Sequence, residues 1–279
     1  WINDELSIDH FHTNDDRIYQ VMQNINNPDE IFTLSNTQAL LAEALKAEMP
    51  EVEMATSFVP VGYGGNDRII GYEGEKLKLN EQYASATFFE FFSFPLKIGD
   101  PSQVLKSKDQ VVISEQYAEK LFGEATNPVG QLIDLYDDSE QRSFIVSGVF
   151  KTLPKTSTIQ FDAAFSMELF LEKYPHIRDW GNSDPSTFIR VKENTDMEAL
   201  SKKVEHLIAT KKEGYPHTLF LQKFSDRYLH GTYENGQVAG GRIAYVKLFS
   251  IIAAQVLIIA CINFMNLATA RSAKRAKEV

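Results

Sequence analysis

The sequence predicts an α+β outer portion, two split β-α-β units around an inserted β-rich subdomain, followed by one transmembrane helix. Three observations carry this reading. A strand–helix–strand pattern occurs at residues 18–63 and again at 187–224, with more than 100 residues between them. The stretch between is crowded with short, β-branched and aromatic segments. The third observation is a run of 23 residues without a charge, LFSIIAAQVLIIACINFMNLATA, at 248–270. At 1.5 Å per residue that run reaches roughly 35 Å, against a hydrocarbon core of about 30 Å. A buried core helix is usually shorter and polar along one edge, so the membrane reading is preferred.

Orientation follows from the flanks. Arg271, Lys274, Arg275 and Lys277 fall within nine residues after the run, whereas residues 228–247 hold only Arg242 and Lys247. The positive-inside bias puts the basic end in the cytoplasm and residues 1–243 outside. That outer portion carries 23 basic and 37 acidic residues, a net of −14. Such a charge argues against nucleic acid and against anionic headgroups as partners. The sole cysteine, Cys261, sits inside the run, so no intrachain disulfide supports the outer domain. Trp1 is expected near an outer membrane interface, downstream of a preceding transmembrane helix.

Taken in order, residues 4–17 are polar and turn-forming. IYQVMQNI at 18–25 alternates as a half-buried strand does. A helix follows, with Ser35 or Asn36 as its cap, Leu40, Leu41, Ala44, Leu45 and Met49 as its apolar stripe, and Pro50 as its stop. Residues 52–63 read as strand, closed by GYGG at 62–65, a tight turn and not a phosphate loop, since GxxxxGK[ST] is absent. The insert opens with five Phe in seven positions, Phe88, Phe89, Phe91, Phe92 and Phe94. One helical face cannot hide them all; an aromatic core is preferred over an exposed partner patch. Residues 111–113 read as strand, Ser114 as the cap of EQYAEKLF, Gly123 as its left-handed stop and Asn127-Pro128 as a turn. Residues 132–135 and 144–150 read as strands of a hairpin or meander around DDSEQR, and 161–165 extends the sheet. In the second unit, strand 187–191 precedes a helix with Thr195 and Glu198 at capping-box spacing and Met197, Leu200, Val204, Leu207 and Ile208 on one face. Strand 218–224 closes the unit. HGTYENGQVAGG at 230–241 is Gly-rich and reads as a mobile linker.

The chemistry search finds no GxSxG, HExxH or CxxC and no thiol outside the span, so no catalytic, metal or cofactor site is assigned. His10 and His12 beside Asp9 lack a third ligand, and His206 reads as a surface histidine. Polar residues inside the run share one sector. With Gln255 at zero, Asn266 falls at about 20°, Asn263 at about 80° and Thr269 at about −40°. A polar sector of that kind packs against other helices and not against lipid, which points to a bundle.

Several stretches together resemble the extracytoplasmic domain of MacB/FtsX-type ABC transporter permeases, the MacB-like form common in Bacteroidetes. They are ELSIDHFHTNDDRIYQV at 5–21, ATFFEFFSFPLKIGDPSQVL at 86–105, QVVISEQYAEKLFGEATNPVGQLI at 110–133, FIVSGVFKTLPKTSTIQFD at 144–162 and NFMNLATARSAKRAKEV at 263–279. The resemblance implies a porter-like domain split into 1–84 and 184–229, an inserted Sabre-like subdomain at 85–183, a linker at 230–247, a second transmembrane helix at 248–270 and a cytoplasmic segment from 271. It implies a non-catalytic subunit, with Gln255, Asn263, Asn266 and Thr269 packing the helix and Arg271, Lys274, Arg275 and Lys277 touching the ATPase or setting topology. The implied partners are a cytoplasmic ATP-binding subunit, a second permease subunit, membrane lipids, and an outer periplasmic partner or lipoprotein. Related permeases expel peptides, antibiotics or lipoproteins. The rival reading is a sensor ectodomain, whose membrane helix should run on into a heptad-patterned linker.

Overall fold

The structure is a computed structural model that describes residues 1–62, 68–137 and 140–277, with the backbone alone for 137, 140 and 273–277. Tyr63, Gly64 and Gly65 of the expected glycine turn, and the tip of the expected hairpin at 138–139, lie outside the described residues. The polar opening is not all turn. It begins with a one-turn helix, α1 (Ile2–Leu6), and ends in a 3-10 turn at Asp15–Arg17. Strand β1 (Ile18–Asn26) follows, and β2 (Ile31–Leu34) folds back on its second half.

Helix α2 (Leu41–Glu48) starts later than its expected cap. Neither Ser35 nor Asn36 caps it; Leu40 stands at the N-cap without a side-chain bond. The intervening Thr37 and Gln38 are drawn into the interior, where Thr37 Oγ1 donates to Thr187 Oγ1 at 2.7 Å and Gln38 Nε2 to Gln23 Oε1 at 2.7 Å. Burying those side chains holds the segment extended, so no capping geometry forms there. Strand β3 (Val52–Val59) completes the first unit, and β4 (Ile69–Tyr72), β5 (Glu75–Lys78) and β6 (Glu81–Ala84) come next.

The Phe run is one turn of helix, α3 (Phe88–Phe91), followed by extended chain from Phe92. All five rings are buried, none more than 3% exposed. The change from helix to extended backbone lets them point inward together, which an unbroken helix would forbid. After β7 (Leu96–Ile98) and β8 (Gln110–Ser114), Ser114 caps α4 (Glu115–Phe122) by accepting from the Tyr117 N–H, and Gly123 ends it at a positive φ of 76°. Strands β9 (Leu132–Asp137) and β10 (Glu140–Phe150) pair antiparallel, and β11 (Ala163–Ser166) leads into α5 (Met167–Lys173).

The second unit is β12 (Ser186–Val191), α6 (Met197–Glu205), α7 (Leu207–Lys211) and β13 (His217–Lys223). Its helix breaks at His206, and its cap is Asp196 and not Thr195. The Asp196 carboxylate accepts from the N–H groups of Glu198 and Ala199, whereas Thr195 Oγ1 donates to the Lys192 carbonyl. A carboxylate one residue closer to the first turn meets the free N–H groups and the helix dipole better than a hydroxyl. The Gly-rich segment is also ordered: β14 (Thr232–Glu234) and β15 (Gln237–Gly240) make a hairpin ahead of α8 (Ile243–Lys277).

Strand order across the main sheet is β13-β1-β12-β3-β6-β11-β8-β10-β9-β4-β5. The four strands of the two β-α-β units lie side by side at one end, so the split halves rejoin through β1 and β12, with Ile18 opposite Arg190 and Val21 opposite Thr187. Strand β4, although it precedes residue 85, pairs with β9 at the far end, and β5 pairs with β4 at the edge. The join between the two ends is narrow: β3 meets β6 only at Phe58–Ala84 and Val59–Tyr83.

Faces differ. Tyr19, Val21, Ile189 and Leu219 pack under α2, α6 and α7 with Leu41, Leu45, Leu200 and Val204. On the opposite face Ile18, Phe58, Phe188 and Phe224 from one end share a cluster with Val112, Phe150, Phe161 and Ala164 from the other. The five Phe close that cluster. The aromatic run thus bolts the two ends of the sheet together on the face away from α2, α6 and α7, at centroid spacings such as 5.5 Å for Phe58–Phe88 and 4.7 Å for Phe150–Phe161.

Candidate functional site

Helix α8 is where the sequence placed its functional residues. It runs unbroken for 35 residues, about 52 Å long at 1.5 Å per residue. Residues Ile243–Ser272 are long and apolar enough to cross a membrane, with a mean hydropathy of 2.3 in the apolar window, and that window is not buried against the rest of the chain, although Val246 near the start of the helix is. Gln255, Asn263, Asn266 and Thr269 are all exposed on this helix. Arg271 is exposed; the side chains of Lys274, Arg275 and Lys277 lie outside the described residues.

What the sequence did not show is how α8 is fastened. Glu5 on α1 accepts from the Tyr228 hydroxyl at 2.9 Å and from Arg242 Nε at 3.3 Å, and the Arg242 guanidinium lies over the Tyr228 ring at 4.7 Å. The Trp1 ring meets Phe249 edge-on at 5.1 Å. Ile243 N–H donates to the Leu229 carbonyl at 3.1 Å. A Cβ on Gly241 would stand 2.4 Å from the same carbonyl oxygen, so only glycine permits the approach. These residues are spread from 1 to 249, and no local pattern announces them.

A second knot sits just above. Asp9 is fully buried with φ +61°, and its carboxylate accepts from Thr158 N–H at 2.8 Å and Thr158 Oγ1 at 2.5 Å. Arg227 donates to Thr158 Oγ1 and lies 3.5 Å from Asp9 Oδ2. Burial pulls the Arg227 guanidinium below its usual range, and Asp9 opposes that shift. His12 lies next to the knot among Phe11, Phe92, Phe94 and Phe224, and its Nδ1 accepts from Ser93 N–H at 3.2 Å. Burial first, and Arg227 second, lower its pKa to about 4, so it is neutral at physiological pH. Asp9, His10 and His12 therefore serve separate contacts, His10 Nδ1 lying 2.9 Å from Asp15 Oδ2. Among the described residues no three His, Cys, Asp or Glu gather as a metal site.

Beside the aromatic cluster, on the same face, lies a cleft of about 600 Å³. Its floor is Gln20, Met22, Phe58, Gln82, Ser186 and Gln222, one or two residues from each of five strands. Thr158 and Gln160 form one wall; Gly231 and Tyr233 at the base of the β14–β15 hairpin form another. Tyr233 donates its hydroxyl to Gln222 Oε1, and burial pushes its pKa up to about 12, so it remains a donor. Gln at 20, 82 and 222 breaks the apolar alternation of three strands, the one trace of this cleft in the sequence.

Comparison with known proteins agrees with the geometry. The sequence profile of the MacB-like periplasmic core domain matches residues 1–207. Among curated proteins, none matches the chain in sequence. A domain of a candidate permease protein from Porphyromonas gingivalis superposes with a TM-score of 0.64 at 21% identity, over 76% of this chain and 93% of that one. The extracellular domain of the ABC-type transporter YknZ from Gram-positive bacteria and the periplasmic region of MacB from Actinobacillus actinomycetemcomitans each reach 0.49 at 15% identity. Each aligns over 73% of this chain, covering 99% and 88% of its own. With α+β architecture, one free apolar helix and a profile match over most of its length, the chain belongs to the MacB-like periplasmic core domain family of ABC transporter permeases.

Proposed function

We propose that this chain is the extracytoplasmic domain and one membrane helix of a non-catalytic permease subunit that carries ATP-driven motion across a bacterial inner membrane. Hydrolysis takes place on a cytoplasmic ATP-binding partner, and the cargo is a peptide, antibiotic or lipoprotein expelled or released on the outer side. The observation that carries this reading is the continuity of α8: one helix joins the Glu5–Tyr228–Arg242 fastening to the basic segment without a break. In lipid every backbone bond of such a helix is made within the segment, so it behaves as a stiff rod. Gln255, Asn263, Asn266 and Thr269 hold it against neighbouring helices, including those of a second permease subunit, and Arg271, Lys274, Arg275 and Lys277 face the ATPase. The assignment is tested by a cysteine-accessibility map. Lys151→Cys should react with an impermeant thiol reagent from outside and Lys274→Cys only after permeabilisation, in a Cys261→Ser background. Equal labelling of both positions from one side would sink the orientation and the permease role together.

A further inference from the structure

The cleft beside the aromatic cluster holds a feature that folding alone does not explain. Gln82 is 1% exposed, and its Nε2 has no hydrogen-bond partner. Of the buried polar side-chain atoms left in that state among the described residues, it is the one that lines the cleft. A buried donor without a partner is destabilising, and such groups persist where a ligand completes them.

We infer that this cleft binds an uncharged, extended stretch of peptide, one of whose carbonyl oxygens accepts from Gln82 Nε2. The chemistry of the lining selects that class. The sole charged group there among the described residues, Arg227, is already engaged by Asp9, Thr158 and Gln20, so nothing is left to hold an anion. Gln222 and Gln160 spend their amide N–H groups on the carbonyls of His230, Pro154 and Ser157, which leaves Gln82 as the donor in waiting. Met22, Phe58 and Ile159 offer apolar surface between the amides. Amide groups alternating with apolar ones match a peptide, in which a polar backbone alternates with side chains. The volume of about 600 Å³ lies within the roughly 300–1,000 Å³ of ligand clefts.

The position of the cleft gives binding a consequence. Its Tyr233 wall belongs to the hairpin that leads within a few residues into α8, and the hairpin is further tied to β1 by Asn24 Nδ2 donating to the Gly236 carbonyl at 3.3 Å. A peptide pressed between Gln82 and Tyr233 therefore orders the hairpin and, on the permease role proposed above, biases the helix behind it. In that role the cleft reads cargo or partner on the outer side.

The test uses the full chain in lipid nanodiscs and a dye-labelled, amidated hexapeptide of alternating valine and threonine, followed by fluorescence anisotropy. Labelled cellotetraose is the parallel probe for a glycan. Saturable peptide binding is expected, weaker by about tenfold in Gln82→Leu, the loss of about one hydrogen bond to a buried donor. It should be abolished by Gln160→Trp, which crowds the mouth from an exposed position. Gln82→Leu should melt no lower than the parent, because it removes an unsatisfied amide, so the lost affinity cannot be blamed on unfolding. Hydrogen exchange across 232–240 should slow when peptide is bound. The inference is overturned if the peptide does not saturate, if Gln82→Leu binds as well as the parent, if cellotetraose binds in its place, or if the hairpin is not protected. None of these readouts involves ATP, so the permease role can survive a negative result.

Discussion

The two faces of the β13-β1-β12-β3 sheet solve the same problem differently. On one face three helices lay amphipathic stripes over Val21, Ile189 and Leu219, the arrangement a binary pattern encodes directly. On the other the only helix among the described residues is the single turn α3, and the cover is an aromatic cluster beside an open cleft. Helical cover comes from local sequence, and each helix could be read from its own residues. The aromatic cover is assembled from the N-terminal segment, the insert and the chain after β13, and it also joins the two ends of the sheet. That second face is where the cleft lies, because its cover is gathered from separate segments and leaves part of the sheet open.

The largest effect that sharpens the contrast is a truncation in the aromatic cover. Phe88 is fully buried and meets the rings of Phe58, Phe89, Phe92, Phe94 and Phe161. Phe88→Ala should lower stability by about 3–5 kcal/mol in urea unfolding. It should also make the two ends of the sheet melt separately, whereas Leu200→Ala under α6 should lower stability while leaving one transition. A single transition in Phe88→Ala would show that the ring cluster is not the bolt between the ends.

Next comes acid. His12 titrates near 6.5 when unfolded and at about 4 when buried, so the unfolded chain binds the proton first as pH falls. Its contribution is intact above about pH 6.5 and is lost between there and about pH 4, roughly 3 kcal/mol in all. His12→Phe should flatten stability across that window, measured by denaturation at pH 7, 5.5 and 4. An unchanged slope would place the acid sensitivity in the carboxylates instead.

On the helix-covered face the expected effects are smaller. Thr37→Val removes the hydroxyl bonded to Thr187 and should lower stability by about 1–3 kcal/mol by stranding a buried group. The double Thr37→Val, Thr187→Val should recover part of that loss, because neither hydroxyl is then left over. If the single and double variants lose the same amount, the pair is not coupled.

The smallest effect on stability should come from the helix with no cover at all. Asn263→Leu with Asn266→Leu should insert normally and lose about 0.6 kcal/mol per interhelical hydrogen bond, up to about 2. In the assembled transporter the same pair should weaken the coupling of ATP hydrolysis to outer-domain motion. Full activity at normal expression would show that the two asparagines merely pack.

Much of this was legible. The helix stripes at Leu41/Leu45 and Leu200/Val204, the Ser114 cap, the two split units and the α8 span all rest on spacing within a single element, which the chain states locally. Cap positions failed where a buried bond overrode local preference, as at Thr37 and Gln38, or where a better acceptor stood one residue away, as at Asp196. The Gly-rich 230–241 hid a hairpin because its partners, Asn24 and Gln222, are supplied by distant strands.

By itself, then, the sequence determined the main helices and strands of the two units, that one long uncharged helix is apolar except along one polar sector, and which end carries the basic flank. Those properties depend on side-chain periodicity and net charge, quantities summed over neighbours along the chain. Only the tertiary structure decided that five Phe could all be buried, that Asp9 would find Thr158 and Arg227, that Glu5 would fasten Arg242, and that Gln82 would be left with a free donor in a cleft. Those outcomes depend on residues far apart in the chain, 149 positions for Asp9 and Thr158 and 237 for Glu5 and Arg242, brought together by strand order and register. Short-range patterns carry no information about such pairs, because their energies are realised only after the sheet has closed.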